Sequence, residues 1–172
     1  QGQNQVATIA QKAVTLISPE LNELNLVLPE PPQLNDRIVF ISDQASFQQC
    51  STCTAQTLFP AEAIKNAVMR LYGPGAGDQI QVTRLMSYSY DSLKLLLDKA
   101  EGIESLQYDL NSADWIIFSF TGFNNTTSDT ELFRRLYNER TDLVRNKKVI
   151  GLAFNAPYLL DSTDISKFTA YY

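Results

Sequence analysis

Aspartate and cysteine side chains are the groups in this sequence whose type and spacing could carry chemistry. Asp43 follows one apolar run, and Asp161 and Asp164 follow another near the carboxyl terminus. Two carboxylates roughly 5 to 10 Å apart, one of them protonated, can hydrolyse a glycosidic bond. Aspartates at such positions more commonly cap helices and close turns. Of the three, we keep Asp43 as a candidate for contact with a substrate or a second domain.

The two cysteines form the pattern Cys50-Ser51-Thr52-Cys53. A pair with this spacing can be a redox couple, half of a zinc site or a local disulfide. The sequence has no histidine and no further cysteine, so thiolates and imidazoles of this chain cannot complete a four-ligand zinc site. A redox dithiol needs its first cysteine at a helix N-terminus just after a strand, whereas here residues 44–50 follow the strand and the next helix begins only at Pro60. We predict a disulfide or two ordinary thiols, and no metal.

Strands and helices alternate along the sequence. Apolar and β-branched runs predict strands at residues 37–43, 79–86, 114–120 and 147–154, with a further strand starting in 167–172, and helical periodicity predicts helices at 60–72, 90–100 and 130–145. Helices of this length can cross over between parallel strands. The predicted fold class is therefore α/β, a mostly parallel sheet with helices on both faces, as in a flavodoxin-like sandwich.

The first 36 residues differ from the rest in composition. Residues 1–5 are rich in Gln and Asn, residues 6–17 have a helical period that could close as a short strand at 14–17, and prolines interrupt residues 29–32. We predict that residues 1–36 form a linker and a leading helix or strand. Residues 37–172 then form one α/β sandwich domain, truncated or part of a larger enzyme.

The loops after the strands hold the other candidate residues, because ligands meet an open parallel sheet at the carboxyl ends of its strands. Phe123 follows the third strand, and Asn155 and Tyr158 follow the run that opens at Lys147. An aromatic ring can stack on a sugar, although aromatic side chains are also common at domain interfaces. Asp43, Phe123, Asn155 and Tyr158 are therefore predicted to contact a substrate or a neighbouring domain. Residues 124–127 contain two overlapping Asn-x-Thr sequons, which a bacterial chain would use as turn residues.

Charge and hydropathy exclude two classes of partner. The net charge is −5 and no cluster of Lys and Arg is present, so we expect no binding to nucleic acid. No apolar stretch approaches the 18 to 20 residues that span a bilayer, so we expect no membrane partner. The composition, rich in Asn, Gln and Tyr and poor in Lys, favours a secreted or cell-envelope protein.

Two blocks of the sequence resemble one enzyme family. Residues 9–17, followed by Leu26-Val27-Leu28-Pro29 and the strand at 37–43, form the first block, and residues 152–158 (Leu-Ala-Phe-Asn-Ala-Pro-Tyr) form the second. Together they resemble the C-terminal α/β domain of glycoside hydrolase family 3, in the branch of the β-N-acetylhexosaminidases. In that domain an alanine-rich helix leads into a Thr-Leu-Leu strand, a loop and a Leu-Pro before the first strand of the sheet.

The resemblance implies a division of labour between domains. In the family, an N-terminal TIM barrel carries the aspartate nucleophile and, in this branch, a His-Asp pair. A barrel of this type takes about 250 residues, so this chain cannot contain one. In the β-glucosidase branch the C-terminal domain supplies a glutamate as acid/base, but no glutamate here lies in a matching motif. No catalytic residue is therefore carried over.

The predicted function is that of an accessory domain without cofactors. It would pack on a catalytic TIM barrel of the same parent polypeptide and contact carbohydrate indirectly, and the isolated chain would be inactive. Two alternatives remain. One is a stand-alone flavodoxin-like module that binds a small ligand or a flavin through the Ser/Thr-rich residues 44–57. The other is a free-standing hydrolase that uses Asp43 with Asp161.

Overall fold

The structure is a computed structural model that describes residue 8 and residues 12–122, 127–154 and 157–172. Phe123 and Asn155, two of the candidates from the sequence, lie outside the described residues. Among the helices that are described, none combines the length and the apolar character needed to cross a membrane.

A parallel sheet forms the centre of the molecule. The strands are β1 (Ile38–Ser42), β2 (Ala45–Phe47), β3 (Gln56–Phe59), β4 (Leu85–Ser89), β5 (Trp115–Phe120), β6 (Lys148–Ala153) and β7 (Ala170–Tyr171). Within the described residues, five of them pair in the order β4-β1-β5-β6-β7, and every pairing is parallel. The remaining two, β2 and β3, form a separate antiparallel hairpin.

Helices cover both faces of this sheet. They are α1 (Leu21–Val27), α2 (Ala63–Tyr72), α3 (Tyr90–Leu97), α4 (Glu104–Ser112), α5 (Thr127–Glu139) and α6 (Ser162–Ile165). Leucines of α3 and α4 and the aromatic residues of α5 build the core on one face. Side chains of α1 and α2 pack on the other face. The predicted α/β class with helices on both faces is confirmed.

The buried strands show why the apolar runs predicted this architecture. All five residues of β1 are buried, because helices cover both sides of the strand. A strand in that position has a continuous apolar run rather than an alternating pattern. Helix α3 begins at Tyr90, directly after β4, and the Ser89 hydroxyl caps it by accepting a hydrogen bond from the Ser92 backbone N–H.

Two predicted elements differ most from the structure in their bounds. The strand predicted at 79–86 begins only at Leu85, and residues 82–84 form a 3₁₀ turn. The reason is that the N–H groups of Gln79 and Ile80 donate to the Tyr72 carbonyl, which holds this segment against the end of α2. The helix predicted at 130–145 ends at Glu139, because the backbone leaves the helical region at Arg140 (φ −136°, ψ 48°).

The segment before residue 37 is attached to the sheet. The Ile17 N–H donates to the Tyr171 carbonyl, and the Tyr171 N–H donates to the Ser18 carbonyl, so this segment runs antiparallel to β7. Leu24 and Leu28 pack against the core beside α2. The division of the chain at residue 37 stays a prediction.

Candidate functional site

The order of the strands creates a crevice at the carboxyl edge of the sheet. Strand β1 lies between β4 and β5, so the chain leaves β1 towards one side and later returns on the other. In open α/β sheets the loops diverge at this topological switch point, and ligands bind in the crevice between them. Here Asp43 follows β1 and Thr121 follows β5, one on each side of the crevice.

Asp43 joins the two sides of the crevice. Its side chain is almost fully buried, with 3% of its surface exposed. The carboxylate oxygen Oδ2 accepts a hydrogen bond from the Thr121 N–H, at 3.1 Å, and another from the Thr121 hydroxyl. The Asp43 N–H in turn donates to the Ser119 carbonyl at 3.3 Å. Asp43 therefore fixes the loop after β1 against the loop after β5.

A row of serines crosses the sheet next to Asp43. Ser89 of β4, Ser42 of β1 and Ser119 of β5 are partners in the strand register, so their side chains share one face. Ser42 and Ser119 are fully buried, and their Oγ atoms have no hydrogen-bond partner within the described residues. A buried hydroxyl without a partner costs stability, and such groups are concentrated here, at the edge where ligands bind in this class of fold.

A pocket of about 370 Å³ opens at this edge. The lining residues come from the loop after β1, the hairpin, the start of α3 and the first turns of α5: Asp43, Gln44, Ala45, Ser46, Thr57, Ser89, Tyr90, Asp91 and Asp129. Three of them are carboxylates and none is Lys or Arg. The charge of such a pocket repels a phosphate group, and this repulsion argues against flavin mononucleotide as its ligand.

Tyr90 lines this pocket, but its hydroxyl is buried in the protein interior. Its side chain is 4% exposed and packs on Phe118 and Phe120, with ring centroids 6.4 and 5.8 Å away. Its phenol oxygen has no hydrogen-bond partner within the described part of the chain. Burial raises the pKa of Tyr90 well above its ordinary value, and the charges of Asp129 and Asp43 raise it further. The hydroxyl is therefore a neutral donor near two carboxylates of the pocket.

The hairpin of β2 and β3 forms one wall of the pocket. Cys50 and Cys53 form a disulfide across its tip, with their Cα atoms 5.1 Å apart. The Gln48 side-chain amide also donates to the Cys53 carbonyl at 2.6 Å, which ties the tip together. At the base, the ring of Phe59 lies 5.4 Å from that of Phe154, so the hairpin contacts the end of β6. The sequence analysis predicted a Ser/Thr-rich stretch here, with a disulfide or two thiols at Cys50 and Cys53, but not the hairpin.

The residues predicted from the sequence as site candidates lie in different environments in the structure. Asp43 lines the pocket, whereas Tyr158 is 86% exposed and is not part of the lining. Asp161 caps α6 by accepting a hydrogen bond from the Asp164 N–H. Asp164 is buried and paired with Arg134 and Lys167, at 2.6 and 2.9 Å. Both aspartates therefore have structural roles, and neither lines the pocket beside Asp43.

Tyr90, Asp91 and Asp129 are pocket residues that the sequence analysis did not find. The sequence did contain a signal for Tyr90 and Asp91, because both directly follow a strand. They were missed because that strand was predicted to end at residue 86. For Asp129 the signal was weaker, because it lies at the start of a helix. No group of three or more potential metal ligands comes together among the residues that the structure describes.

Replacing Asp43 with alanine should lower the free energy of unfolding by about 2 kcal/mol, because the buried N–H and hydroxyl of Thr121 would lose their acceptor. Asp43→Asn keeps one acceptor oxygen and should lower the free energy of unfolding by about half as much. Urea unfolding followed by circular dichroism measures both variants. An alanine variant as stable as the parent would show that Asp43 does not hold the two loops together.

Comparisons with known proteins give one match. No family model matches the chain, and no curated protein matches it. A solved structure described as "A unique GCN5-related glucosamine N-acetyltransferase region exist in the fungal multi-domain GH3 beta-N-acetylglucosaminidase" is similar with a TM-score of 0.48 and 16% sequence identity. The similarity covers 91% of this chain and 14% of that one, so this chain corresponds in length to a small part of that multi-domain protein.

Proposed function

We propose that this chain is an accessory α/β domain of a family 3 glycoside hydrolase similar to the β-N-acetylhexosaminidases. It packs on a catalytic TIM barrel in the same polypeptide, and its carboxyl edge lies beside the sugar cleft of that barrel. The observation that carries the proposal is the order of elements before β1. This order agrees with the order in the family whose sequence the chain resembles.

The leading segment supports this resemblance element by element. Lys12 and Ala13 are helical, and the next residues extend until Ile17 and Ser18 pair antiparallel with β7. Leu28 and Pro29 then precede β1, the first strand of the parallel sheet. Helix, extended segment, Leu-Pro and sheet strand thus follow one another as in the C-terminal domain of the family. The short helix α1 occupies the place of the family's loop.

Exposed aromatic side chains at the carboxyl edge support the placement of the partner. Phe47 of the hairpin and Phe154, directly after β6, are each about half exposed, and Tyr158 is almost fully exposed. Aromatic residues are enriched where proteins bind one another. All three follow or accompany the carboxyl ends of strands, the same edge on which the acidic pocket opens. We therefore place the interface with the barrel, and the approach to the sugar, at this edge.

The disulfide also bears on where the parent enzyme works. Disulfides persist in oxidising compartments and are rare in the cytosol of most organisms. The Cys50–Cys53 bond at an exposed hairpin tip is compatible with such a compartment. We include a secreted or cell-envelope location in the proposal.

Hydrolysis of chromogenic glycosides tests the proposed function. The panel includes the p-nitrophenyl N-acetyl-β-glucosaminide, and the chain is compared with a protein extended towards the N-terminus through the parent gene. We expect activity of the extended protein only, because no catalytic residue of the family is carried over to this chain. Activity of the isolated chain, or an extended protein that is folded but inactive on every glycoside, would contradict the proposal.

A second candidate function is a module that binds a small ligand without any barrel. The observation that favours it is the pocket at the switch point, the usual ligand site of flavodoxin-like sheets. Its acidic lining argues against a flavin phosphate. Tight binding of a small molecule by a chain whose parent gene encodes no barrel would distinguish this candidate from the accessory domain.

A further inference from the structure

We propose that β4 pairs with β4 of a second copy of this chain, so that two parallel sheets join edge to edge about a twofold axis. Strand β4 lies at one end of the sheet and, among the described residues, pairs only with β1. The other end differs, because Ile17 and Ser18 pair with β7 there. Four of the five residues of β4 are partly exposed. Self-association of this kind goes beyond the proposed function and does not depend on it.

The hydrogen bonds of β1 show which way its backbone groups point. The Trp115 N–H donates to the Arg37 carbonyl, directly before β1. Directly after β1, the Asp43 N–H donates to the Ser119 carbonyl. The N–H and C=O of one residue point to the same side of a strand, and the side alternates along the strand. Odd-numbered residues of β1 therefore face β5, and even-numbered residues face β4.

The register then identifies the residues of β4 that face outwards. Each even-numbered residue of β1 lies beside an odd-numbered residue of β4. In a parallel pair, such a residue bonds to the residues before and after its neighbour, which within β4 are Met86 and Tyr88. The backbone groups of Leu85, Ser87 and Ser89 therefore point away from β1, towards the open edge.

These outward groups fit a second β4 that runs in the opposite direction. The Leu85 N–H donates to the Val82 carbonyl, and the Ser89 carbonyl begins α3 as its N-cap. Within the described residues, the Leu85 carbonyl, both groups of Ser87 and the Ser89 N–H remain without a backbone partner. With Ser87 opposite Ser87, two hydrogen bonds join these serines, and each Ser89 N–H faces the Leu85 carbonyl of the other copy. Because Leu85 is almost fully buried and Ser87 is partly exposed, the bonds of Ser87 form the centre of the pairing.

The side chains of β4 lack the features that keep edge strands apart. Natural edge strands are commonly protected by charged residues or proline, and the sequence Leu-Met-Ser-Tyr-Ser contains neither. In the antiparallel register, Met86 of one copy lies opposite Tyr88 of the other, on the face covered by α3 and α4. Both side chains are partly exposed. Pairing therefore buries apolar surface and brings a thioether against an aromatic ring.

The charges that flank β4 are complementary in the same arrangement. Arg84 directly precedes the strand, and Asp91 lies in the first turn of α3 behind it. Among the described residues, neither side chain forms an ion pair. Antiparallel pairing about Ser87 brings Arg84 of one copy to the end of β4 where Asp91 of the other copy lies. Each end of the paired strands then holds one opposite-charge pair, which favours a second copy as the partner.

Sedimentation equilibrium of the chain, from micromolar to near-millimolar concentration, tests the proposal. We expect monomer and dimer in equilibrium, with a dissociation constant in the micromolar range because a strand pair buries less area than a standard interface. Added salt should weaken the dimer, since the charge pairs are at the surface. A chain that is monomeric at every concentration would overturn the proposal, whether or not a strand of another protein binds this edge.

Amide hydrogen exchange locates the interface in the same samples. The N–H groups of Ser87 and Ser89 should exchange more slowly as the dimer forms. The N–H groups of Met86 and Tyr88 bond to β1 and should be protected at every concentration, which makes them the internal control. Exchange at Ser87 that does not slow in the dimer would place the interface elsewhere and overturn the assignment to β4.

Ser87→Pro and Ser87→Ala form a matched pair of variants. Both remove the hydroxyl that donates to the Ala61 carbonyl. Only proline removes the outward N–H, and proline is tolerated at an edge strand where the N–H faces away from the neighbouring strand. Ser87→Pro should therefore abolish the dimer while circular dichroism shows a folded chain, and Ser87→Ala should dimerise like the parent. A dimer that survives Ser87→Pro contradicts the pairing of β4.

Exchanging the flanking charges tests the antiparallel register without changing β4. Arg84→Glu places two acids together at each end of the pair and should weaken the dimer about tenfold. Asp91→Arg alone should weaken it similarly, and the double variant Arg84→Glu/Asp91→Arg should restore it. A double variant that dimerises no better than Arg84→Glu would overturn the register. These measurements report association alone, so hydrolysis by the extended protein neither supports nor contradicts them.

Discussion

Replacing Phe133 with alanine is expected to lower the free energy of unfolding by about 4 kcal/mol, because a fully buried phenylalanine would leave a cavity. Phe133 belongs to α5 and lies at the centre of an aromatic cluster. Its ring stacks on Phe168 with centroids 4.6 Å apart, and Phe118 meets it edge to face at 5.2 Å. The substitution thus removes contacts among α5, the sheet and the segment before β7. Urea unfolding followed by circular dichroism would measure the loss.

Leu95→Ala is the matched control for Phe133→Ala. Leu95 lies on α3, a helix of the same face, but about half of it is exposed. This substitution should change the free energy of unfolding by no more than about 0.5 kcal/mol. If Phe133→Ala cost as little as the control, the aromatic cluster would not be the core of this face.

Replacing Gly151 with alanine is expected to cost about 3 kcal/mol, at the upper end of what overpacking a core usually costs. Gly151 lies in β6, opposite Tyr171 of β7 in the strand register. A methyl group on Gly151 would collide with the Tyr171 ring and would lie 2.9 Å from Phe168 Cε1. Both rings are buried in the same core and cannot swing into solvent. The urea midpoint should fall with little change in the slope of the transition.

Gly77→Ala is the control for this substitution, because a methyl group there makes only ordinary contacts at 3.8 Å in an exposed turn. The Gly77→Ala substitution should leave the free energy of unfolding nearly unchanged. Phe168→Leu in the Gly151→Ala background should recover part of the loss, since the smaller side chain makes room for the methyl group. Strictly additive costs of the two substitutions would contradict the proposed collision.

The parallel sheet could be predicted because its central strands are buried on both faces. Strands β1, β5 and β6 consist mostly of apolar residues, with β-branched residues in each. Continuous apolar runs of this kind are typical of parallel strands that helices cover on both faces. Helix α2 was equally clear, since its apolar residues recur at helical spacing between Pro60 and Gly73. These signals are local, and they were sufficient to predict the α/β class.

The hairpin and most of the pocket could not be predicted, because their signals are not local. Strands β2 and β3 are short and largely exposed, and they pair only with each other, so no apolar run marks them. The row formed by Ser89, Ser42 and Ser119 exists only in the register between three strands. Asp129 reaches the pocket from a helix far along the chain. The hairpin, the serine row and the position of Asp129 depend on contacts between distant parts of the chain, and no short stretch of sequence specifies such contacts.

The pairing of Ile17 and Ser18 with Tyr171 has a consequence for self-association. A parallel sheet that ends in an open strand offers unpaired backbone groups to any other extended chain, and such edges promote aggregation. Here the leading segment occupies the outer side of β7 and runs in the opposite direction. Detaching residues 17 and 18 would expose the backbone groups on that side of β7 to strand pairing with a second copy of the protein.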